Sequence, residues 1–219
     1  MNKINQVIGM SAVMSLLFFL WFPDVDLLIA DLFFSGHFVS GNAFFDWVYR
    51  LVRPVTILVF TVLLFDIGFY FFTKKHLWLP VNSATFFLLC WLLGPGLFVN
   101  LVAKDKIGRP RPSQIVRFQG EFDYVPPFSY SSACSRNCSF VSGHASVGFV
   151  FAGLAFVFSR HRKTILLSAI VVGSIIGYVR MAQGGHFLSD VVFSFFTTYL
   201  GIFCAFKLMR MANREVMCA

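Results

Sequence analysis

Three ionisable residues lie close together in one otherwise apolar stretch, from Tyr178 to Asp190. His186 comes six positions after Arg180, and Asp190 comes four positions after His186. Positions i and i+4 of a helix share one face, so the carboxylate of Asp190 can hold one ring nitrogen of His186. The other ring nitrogen is then free as a nucleophile or base. Because arginine presents a fork of donors that suits phosphate, the stretch predicts an activated histidine beside a phosphate clamp.

A second interpretation fits the same residues. Arg180 and Asp190 could form a pair that caps a helix, with His186 simply placed at the membrane interface. Gly184 and Gly185 lie between them and allow a close backbone approach in either case. Short patterns recur by chance, so the choice depends on motifs elsewhere in the chain.

The stretch from Lys104 to Pro112 is a basic cluster that contains two prolines and a glycine. Lys104 ends a predicted membrane span, and Arg111 precedes the rigid Pro112. Such cations can bind a phosphate within a site or can attract lipid head groups without specificity. The cluster alone predicts either.

A third polar stretch, Phe140 to Ser146, opens an apolar segment. Ser142 and Gly143 are predicted at a helix N-terminus, where free backbone N–H groups and the helix dipole favour an anion. His144 follows in the first turn and is predicted to face that anion. A solvated or capping histidine is the alternative for His144 taken by itself.

Composition identifies the class of protein that must position these residues. The chain has 219 residues, of which 58% are hydrophobic and 13% charged, and 30 are phenylalanine. Soluble domains carry about 25% charged residues, so we predict an integral membrane protein. The net charge of +8 is spread over segment ends and one loop. This distribution suits anionic lipid and phosphate and gives no reason to expect nucleic acid.

Six apolar segments predict an all-α bundle of six transmembrane helices in a single domain, 1–219. The predicted spans are about 4–22, 55–72, 85–103, 145–159, 164–179 and 187–208. The first span lacks a small-residue cleavage pattern and is expected to be retained. Residues 24–54 are expected to form an interfacial segment and a loop, or a partly buried loop. The third span is expected to kink or open at Gly94–Gly96, and Asp66 is expected to pair near a membrane interface.

Basic residues in the short loops are equally numerous on the two sides, so their count does not assign the orientation. The side without the motifs is taken as cytoplasmic. Both termini are then inside, and the motif residues share the extracytoplasmic face. Cys134 and Cys138, four apart in the long polar loop, could form a disulfide if that loop is extracytoplasmic. A metal site is less favoured there because no second ligand pair follows.

Together the three stretches resemble the signature of the type-2 phosphatidic acid phosphatase superfamily of membrane lipid phosphatases. The pattern is Lys, six residues, Arg-Pro; then Ser-Gly-His; then Arg, five residues, His, three residues, Asp. Val141 and Val179 depart from the residues common at those positions. Within the superfamily, the runs from Cys138 to Ser146 and from Arg180 to Asp190, with the lead-in from Trp91 to Asn100, resemble bacterial lipid A phosphatases, the 4′-phosphatase type above all.

The resemblance implies a two-step phosphoryl transfer in a bacterial inner membrane, with the active site facing the periplasm. It implies that His186 is the nucleophile, that Asp190 orients it, and that His144 is the acid and then the base. The phosphate-binding residues would be Lys104, Arg111, Ser142, Gly143 and Arg180. Three cations occupy the positions where a two-metal phosphatase has carboxylates, so no metal ion is expected. No other cofactor and no obligate protein partner are expected either.

Each of three further basic residues could bind a second phosphate or a neighbouring head group, or be a solvated loop charge: Lys106, Arg109 and Arg117. Lipid A is the first substrate to consider. Undecaprenyl diphosphate, phosphatidylglycerol phosphate and phosphatidic acid remain alternatives, since an apolar cleft at the membrane would serve all of them. A non-enzymatic protein that binds or transports anionic lipid is a further alternative. An oriented nucleophile, His186 with Asp190, argues against it.

Overall fold

The computed structural model describes residues 2–103 and 107–216, which form a helical bundle without a β-strand. The α-helices are α1 (Asn2–Trp21), α2 (Val25–Asp31), α3 (Ala43–Thr73), α4 (Val81–Trp91), α5 (Gly143–Phe149), α6 (Leu154–Val157), α7 (Arg162–Ala182) and α8 (Leu188–Met211). A π-helix, Leu92–Ala103, continues α4, and a short 3-10 stretch, Val150–Gly153, joins α5 to α6. Other 3-10 turns are Pro112–Gln114, Val116–Phe118 and Ser159–His161.

Five helical stretches within the described residues are long and apolar enough to cross a membrane. They are Lys3–Trp21, Ala43–Thr73, Val81–Leu101, Ser159–Ala182 and Leu188–Met211. The stretch Gly143–Val157 is apolar but shorter than these five. The predicted all-α membrane fold is therefore confirmed, and the count of six spans stays a prediction.

Helix α3 begins twelve residues before the predicted start of the second span. Asn42 caps it, because its side-chain oxygen accepts hydrogen bonds from the N–H groups of Phe44 and Phe45. Pro54 lies inside this helix and does not begin it. The loop expected just before residue 55 is therefore wrong. A long apolar helix tolerates an internal proline, since neighbouring groups compensate for the lost backbone hydrogen bond.

The buried carboxylate of Asp66 in α3 receives backbone donors. The N–H groups of Trp78 and Leu79 lie 3.3 and 3.1 Å from its two oxygens. Asp66 thus fixes the turn between α3 and α4 and lies away from the motif residues. The predicted opening at Gly94–Gly96 corresponds to the π-helix, where the side-chain nitrogen of Asn100 donates to the carbonyl of Pro95.

Helices α5, α7 and α8 pack closely and carry two of the three motifs. Gly148 of α5 meets Gly173 of α7, and a Cβ added at Gly148 would overlap that backbone. Small residues at such crossings let helices approach closely, which strengthens van der Waals packing inside a membrane. The start of α5 and the start of α8 are thereby held side by side.

A cap of loops covers the end of the bundle where the motifs meet. Its apolar centre contains Phe38, Ile115, Phe118 and Phe187, all buried, together with Ala30 of α2. The short helix α2 is therefore part of this cap. It lies beside the loop 107–142 and the start of α8. His186 lies just before that helix start, and Asp190 lies in its first turn.

Candidate active site

His186 lies in the turn before α8, and its side chain is 1% exposed. Its Nδ1 is 2.8 Å from the backbone carbonyl oxygen of Ser139. Since a carbonyl only accepts, Nδ1 carries the proton and donates, which leaves the lone pair on Nε2. Burial lowers the pKa of His186 from its ordinary value of 6.5 to about 4, so the ring is neutral at pH 7.

After burial, Asp190 acts to raise the pKa of His186, and the positive charges of Arg180 and Arg111 act to lower it. The guanidinium of Arg180 lies against Gly185, the residue just before His186. Arg111 is half-buried, and its Nη2 donates to the carbonyl of Asn137 at 2.9 Å. Burial lowers the pKa of Arg111 from its ordinary value, but arginine remains a cation at neutral pH.

Asp190 is fully buried in the first turn of α8 and is held by three donors. Arg109 Nη1 donates to Oδ1 at 2.7 Å, while Ser139 Oγ and the N–H of Phe187 donate to Oδ2 at 2.5 and 2.8 Å. His186 Nδ1 lies 3.6 Å from Oδ2, too far for a hydrogen bond of normal length. Asp190 therefore lies close to the His186 ring, and Ser139 adds a bridge of hydrogen bonds between the two side chains.

Ser139 forms that bridge with two of its own atoms. Its hydroxyl donates to Asp190, and its carbonyl accepts from His186. Its N–H in turn donates to the carbonyl of Arg109 at 2.9 Å. A disulfide joins Cys134 to Cys138, the residue just before Ser139. The polar loop between the first two motifs thus sets the position of the histidine ring.

Arg109 is buried away from any phosphate, head group or solvent, so the roles predicted for it are wrong. Its side chain is fully buried between two carboxylates, with Nη2 2.8 Å from Asp26 Oδ2 and Nη1 2.7 Å from Asp190 Oδ1. The guanidinium also stacks over the ring of Phe187, 4.2 Å from its centroid. Arg117, by contrast, forms an exposed ion pair with Asp31, as a solvated loop charge would.

Arg180 lies in the last turn of α7, and its guanidinium lies beside the turn formed by Gly184 and Gly185. Its Nη1 donates to Gln183 Oε1 at 2.6 Å, and its Cζ lies 4.7 Å from the ring centroid of Tyr49. A Cβ on Gly185 would overlap this guanidinium, so glycine is required there for steric reasons. Gly184 has a positive φ of 65°, and a Cβ there would overlap Phe38.

His144 is half-buried in the first turn of α5, stacked on Tyr49 with ring centroids 4.7 Å apart. Ser142 precedes this helix, and its hydroxyl accepts from the N–H of Ala145 as an N-cap. The N–H of Ser142 donates to the carbonyl of Asp190 at 3.0 Å. Ser142 therefore joins the second motif to the third, with Gly143 next to it as the first residue of the helix.

Lys104 and Lys106 lie outside the described residues. Within the described part of the chain, no group of three His, Cys, Asp or Glu side chains could hold a metal ion. The arrangement is a neutral imidazole beside two arginines and a second histidine. Chemically, it can bind a phosphate group and offer it a nucleophile.

Sequence reasoning missed Asp26, Ser139 and Tyr49. Asp26 had one signal: it lies four residues before Ala30 in an apolar segment, so a helix would place its charge on the buried face. Ser139 binds His186 through its backbone carbonyl, and a backbone contact cannot be recognised from residue types. Tyr49 lay in a segment that was expected to be a loop.

An apolar groove follows α7 along the membrane-spanning part of the bundle. One section of about 200 Å³ lies between α3, α5 and α7, and a section of about 290 Å³ continues it. Phe151 and Val172 line both sections. Ser168, Val172 and Ile176 line the groove at intervals of four residues. The next residue in that row is Arg180, which lies at the site.

Comparison with known proteins gives consistent matches. The family model described as the PAP2 superfamily matches residues 84–214. A lipid A 4′-phosphatase from Francisella tularensis subsp. novicida is 40% identical over 208 residues, which covers 88% of this chain and 90% of that protein. A lipid A 4′-phosphatase from Rhizobium leguminosarum is 32% identical over 217 residues, covering 87% and 93%.

A solved structure has the same fold. The transmembrane PAP2-type phosphatidylglycerolphosphate phosphatase from Bacillus subtilis superposes with a TM-score of 0.51. The alignment covers 91% of this chain and 96% of that one, with 21% sequence identity. At this identity the similarity supports the fold and carries nothing about the substrate.

Proposed function

Because this chain belongs to the PAP2 superfamily, we propose that it is a membrane lipid phosphatase that removes the 4′-phosphate of lipid A. The observation that carries the proposal is the state of His186. Its Nδ1 is bound to a carbonyl, its ring is neutral, and the guanidinium of Arg180 lies against Gly185, the residue before it. The two relatives named lipid A 4′-phosphatase, which align over most of their own length, support the choice of substrate.

In the first step, Nε2 of His186 attacks phosphorus in line with the bond to the sugar oxygen. The P–N bond forms as the P–O bond breaks, and His144 donates a proton to the departing oxygen. The imidazole gains positive charge, which the carboxylate of Asp190 stabilises. The product of this step is a phosphohistidine and the dephosphorylated lipid.

In the second step, His144 takes a proton from a water molecule that attacks phosphorus from the opposite side. The P–N bond breaks, inorganic phosphate leaves, and the lone pair returns to Nε2. Through both steps Arg111, Arg180 and Lys104 balance the charge on the phosphate oxygens. Ser142 and Gly143 are proposed to assist at the start of α5.

Side chains provide the positive charge of this mechanism, so we propose that no metal ion or other cofactor is needed. The groove along α7 supports a lipid substrate, because an acyl chain in it would have its polar head next to Arg180. From Ile176 to Ser168 the groove follows about 12 Å of helix, close to the ~15 Å depth of one hydrocarbon leaflet.

We further propose six spans in a single domain, 1–219, with both termini in the cytoplasm. The site would face the periplasm of a bacterial inner membrane, where a Cys134–Cys138 disulfide can persist. The lipid bilayer is the only partner that the proposal requires besides the substrate. Labelling of engineered surface cysteines from one side of the membrane tests this orientation.

The test of function is phosphate release by the purified protein in detergent. Lipid A is compared with undecaprenyl diphosphate, phosphatidylglycerol phosphate and phosphatidic acid, and mass spectrometry identifies the lipid product. We expect fastest release from lipid A, with the 4′ position cleaved. Preference for another lipid would replace the substrate and keep the mechanism.

Two variants test the assigned roles in the same assay. His186→Ala and His144→Ala should each lose nearly all turnover while retaining the helical fold by circular dichroism. Retained turnover in either would contradict its role. Tight lipid binding without release of phosphate from any substrate would favour the lipid-binding alternative.

A further inference from the structure

Three charged side chains form a cluster with no exposed surface at the edge of the candidate site. Arg109 lies between Asp26 of α2 and Asp190 of α8, at 2.8 and 2.7 Å, and all three side chains are 0% exposed. In the chain, Arg109 is 83 positions from Asp26 and 81 positions from Asp190. A buried ion pair is costly to desolvate, so one with three members calls for an explanation beyond stability.

The hydrogen bonds define the charge of each member. Asp26 accepts from the N–H and the hydroxyl of Ser189 and from Arg109 Nη2, so its oxygens act only as acceptors. Ser189 Oγ also accepts from Arg109 Nη1, which orients its hydroxyl proton towards Asp26. Asp190 likewise accepts from three donors. These donors favour the carboxylate form of both acids, and with one arginine the cluster then carries a net charge of −1. Burial raises the pKa of Asp26 from its ordinary value, whereas Arg109 and the hydroxyl of Ser189 act to lower it.

Asp26 reduces the extent to which Arg109 neutralises the charge of Asp190. An arginine paired with Asp190 alone in a dry site would cancel that charge and leave no net negative charge to act on the histidine. Shared between two carboxylates, it holds Asp190 in place while a unit of negative charge remains. That charge acts on His186 directly, because Asp190 Oδ2 lies 3.6 Å from Nδ1. Ser139 fixes this arrangement, since its hydroxyl binds Asp190 and its carbonyl binds Nδ1.

We propose that Asp26 is a positioning residue of the phosphoryl transfer, and that its pair with Arg109 keeps a net negative charge behind His186. This charge stabilises the positive imidazole ring that forms when Nε2 bonds to phosphorus. The inference rests on the proposed function only in needing His186 as the nucleophile, and it holds for any phosphate ester that the enzyme hydrolyses. Asp26 touches no substrate.

The same helix offers a matched control. Asp31 also lies on α2 and also pairs with an arginine of the loop 107–142, Arg117, but this pair is exposed. Asp26→Asn and Asp31→Asn make the same chemical change in the two pairs. Only the first should affect the reaction, because only the first pair connects to Asp190.

The experiment measures kcat, KM and competitive inhibition by inorganic phosphate for both variants and the wild type. We expect Asp26→Asn to lower kcat about ten- to hundred-fold, the range that corresponds to the loss of one hydrogen bond to a charged group. KM and the inhibition constant of phosphate should stay within about threefold, since the cations near His186 are intact. Asp31→Asn should match the wild type.

Equal kcat values for Asp26→Asn and Asp31→Asn would overturn the proposal. So would a parallel loss of kcat and phosphate inhibition, which would indicate a collapsed site. If Asp26→Asn does not fold, Ser189→Ala removes one donor to Asp26 and should lower kcat in the same selective way, by a smaller factor. An unchanged kcat in folded Ser189→Ala would equally overturn it. Wild-type protein that hydrolyses no phosphate ester would instead refute the proposed function.

Discussion

Gly185→Ala provides a steric test of the phosphate clamp that leaves every ionisable residue in place. A Cβ at this position would overlap Arg180 Nη2 and would lie 2.6 Å from Cζ and 3.1 Å from Nε. Real Cβ atoms do not come so close to other heavy atoms, so the guanidinium must move. It is held by Gln183 and by the ring of Tyr49, and a movement that clears the added methyl group would weaken these contacts.

The cost follows from what Arg180 is proposed to do. A hydrogen bond between charged groups contributes about 1.5 to 3 kcal/mol, and about 1.4 kcal/mol corresponds to a factor of ten. Displacing Arg180 from the phosphate should therefore lower kcat/KM about ten- to hundred-fold. The overall fold should persist, since the added group is one methyl at the edge of the bundle.

The assay is phosphate release at several substrate concentrations, with Gly68→Ala as the control. A Cβ on Gly68 of α3 meets nothing within 4 Å, so this variant should keep the wild-type kcat/KM. A Gly185→Ala enzyme within about twofold of the wild type would refute the placement of Arg180 at the phosphate.

Other predictions concern the bridge, the groove, the pH dependence and the metal. Ser139→Ala removes the hydroxyl that donates to Asp190 but keeps the carbonyl that holds His186; kcat should fall about tenfold, from the loss of a buried hydrogen bond to a charged group. Val172→Phe should raise KM for a long-chain lipid phosphate but leave KM for a water-soluble phosphate ester unchanged. Val171 does not line the groove, so Val171→Phe should leave both KM values unchanged. Burial lowers the pKa of His186 to about 4 in the fold, so the unfolded chain binds the extra proton below its ordinary pKa of 6.5. Stability in detergent should therefore fall by a few kcal/mol as the pH drops from 6.5 to 4, and a melting series should show a smaller fall for His186→Gln. Excess chelator should leave turnover unchanged, and loss of turnover that added metal restores would contradict the proposed mechanism.

Features encoded over short distances in the chain could be predicted well. His186 and Asp190 are four residues apart, and Ser142, Gly143 and His144 are consecutive, so their shared placement at helix starts follows from local spacing. The apolar segments likewise indicated helices of the right length in most places. These predictions depend on periodicity, which a single sequence displays.

Features that depend on tertiary contact could not be predicted. Asp26, one of the two carboxylate partners of Arg109, lies 83 residues earlier in the chain. Nothing in the sequence near either residue indicates the other. The carbonyl of Ser139 that binds His186 belongs to the backbone and leaves no trace in residue type. The predicted span 55–72 begins just after Pro54, because local propensity opposes a helix at a proline, whereas α3 continues through it.

The most direct measurement is a search for phosphate bound covalently to His186. Protein mixed briefly with radiolabelled lipid A is denatured, digested and mapped by mass spectrometry, with His186→Ala as the control. We expect a phosphate that is stable to alkali and labile to acid on the peptide containing His186, and none in the control. Rapid release of phosphate with no label on His186, or with the label on another residue, would contradict the phosphohistidine mechanism.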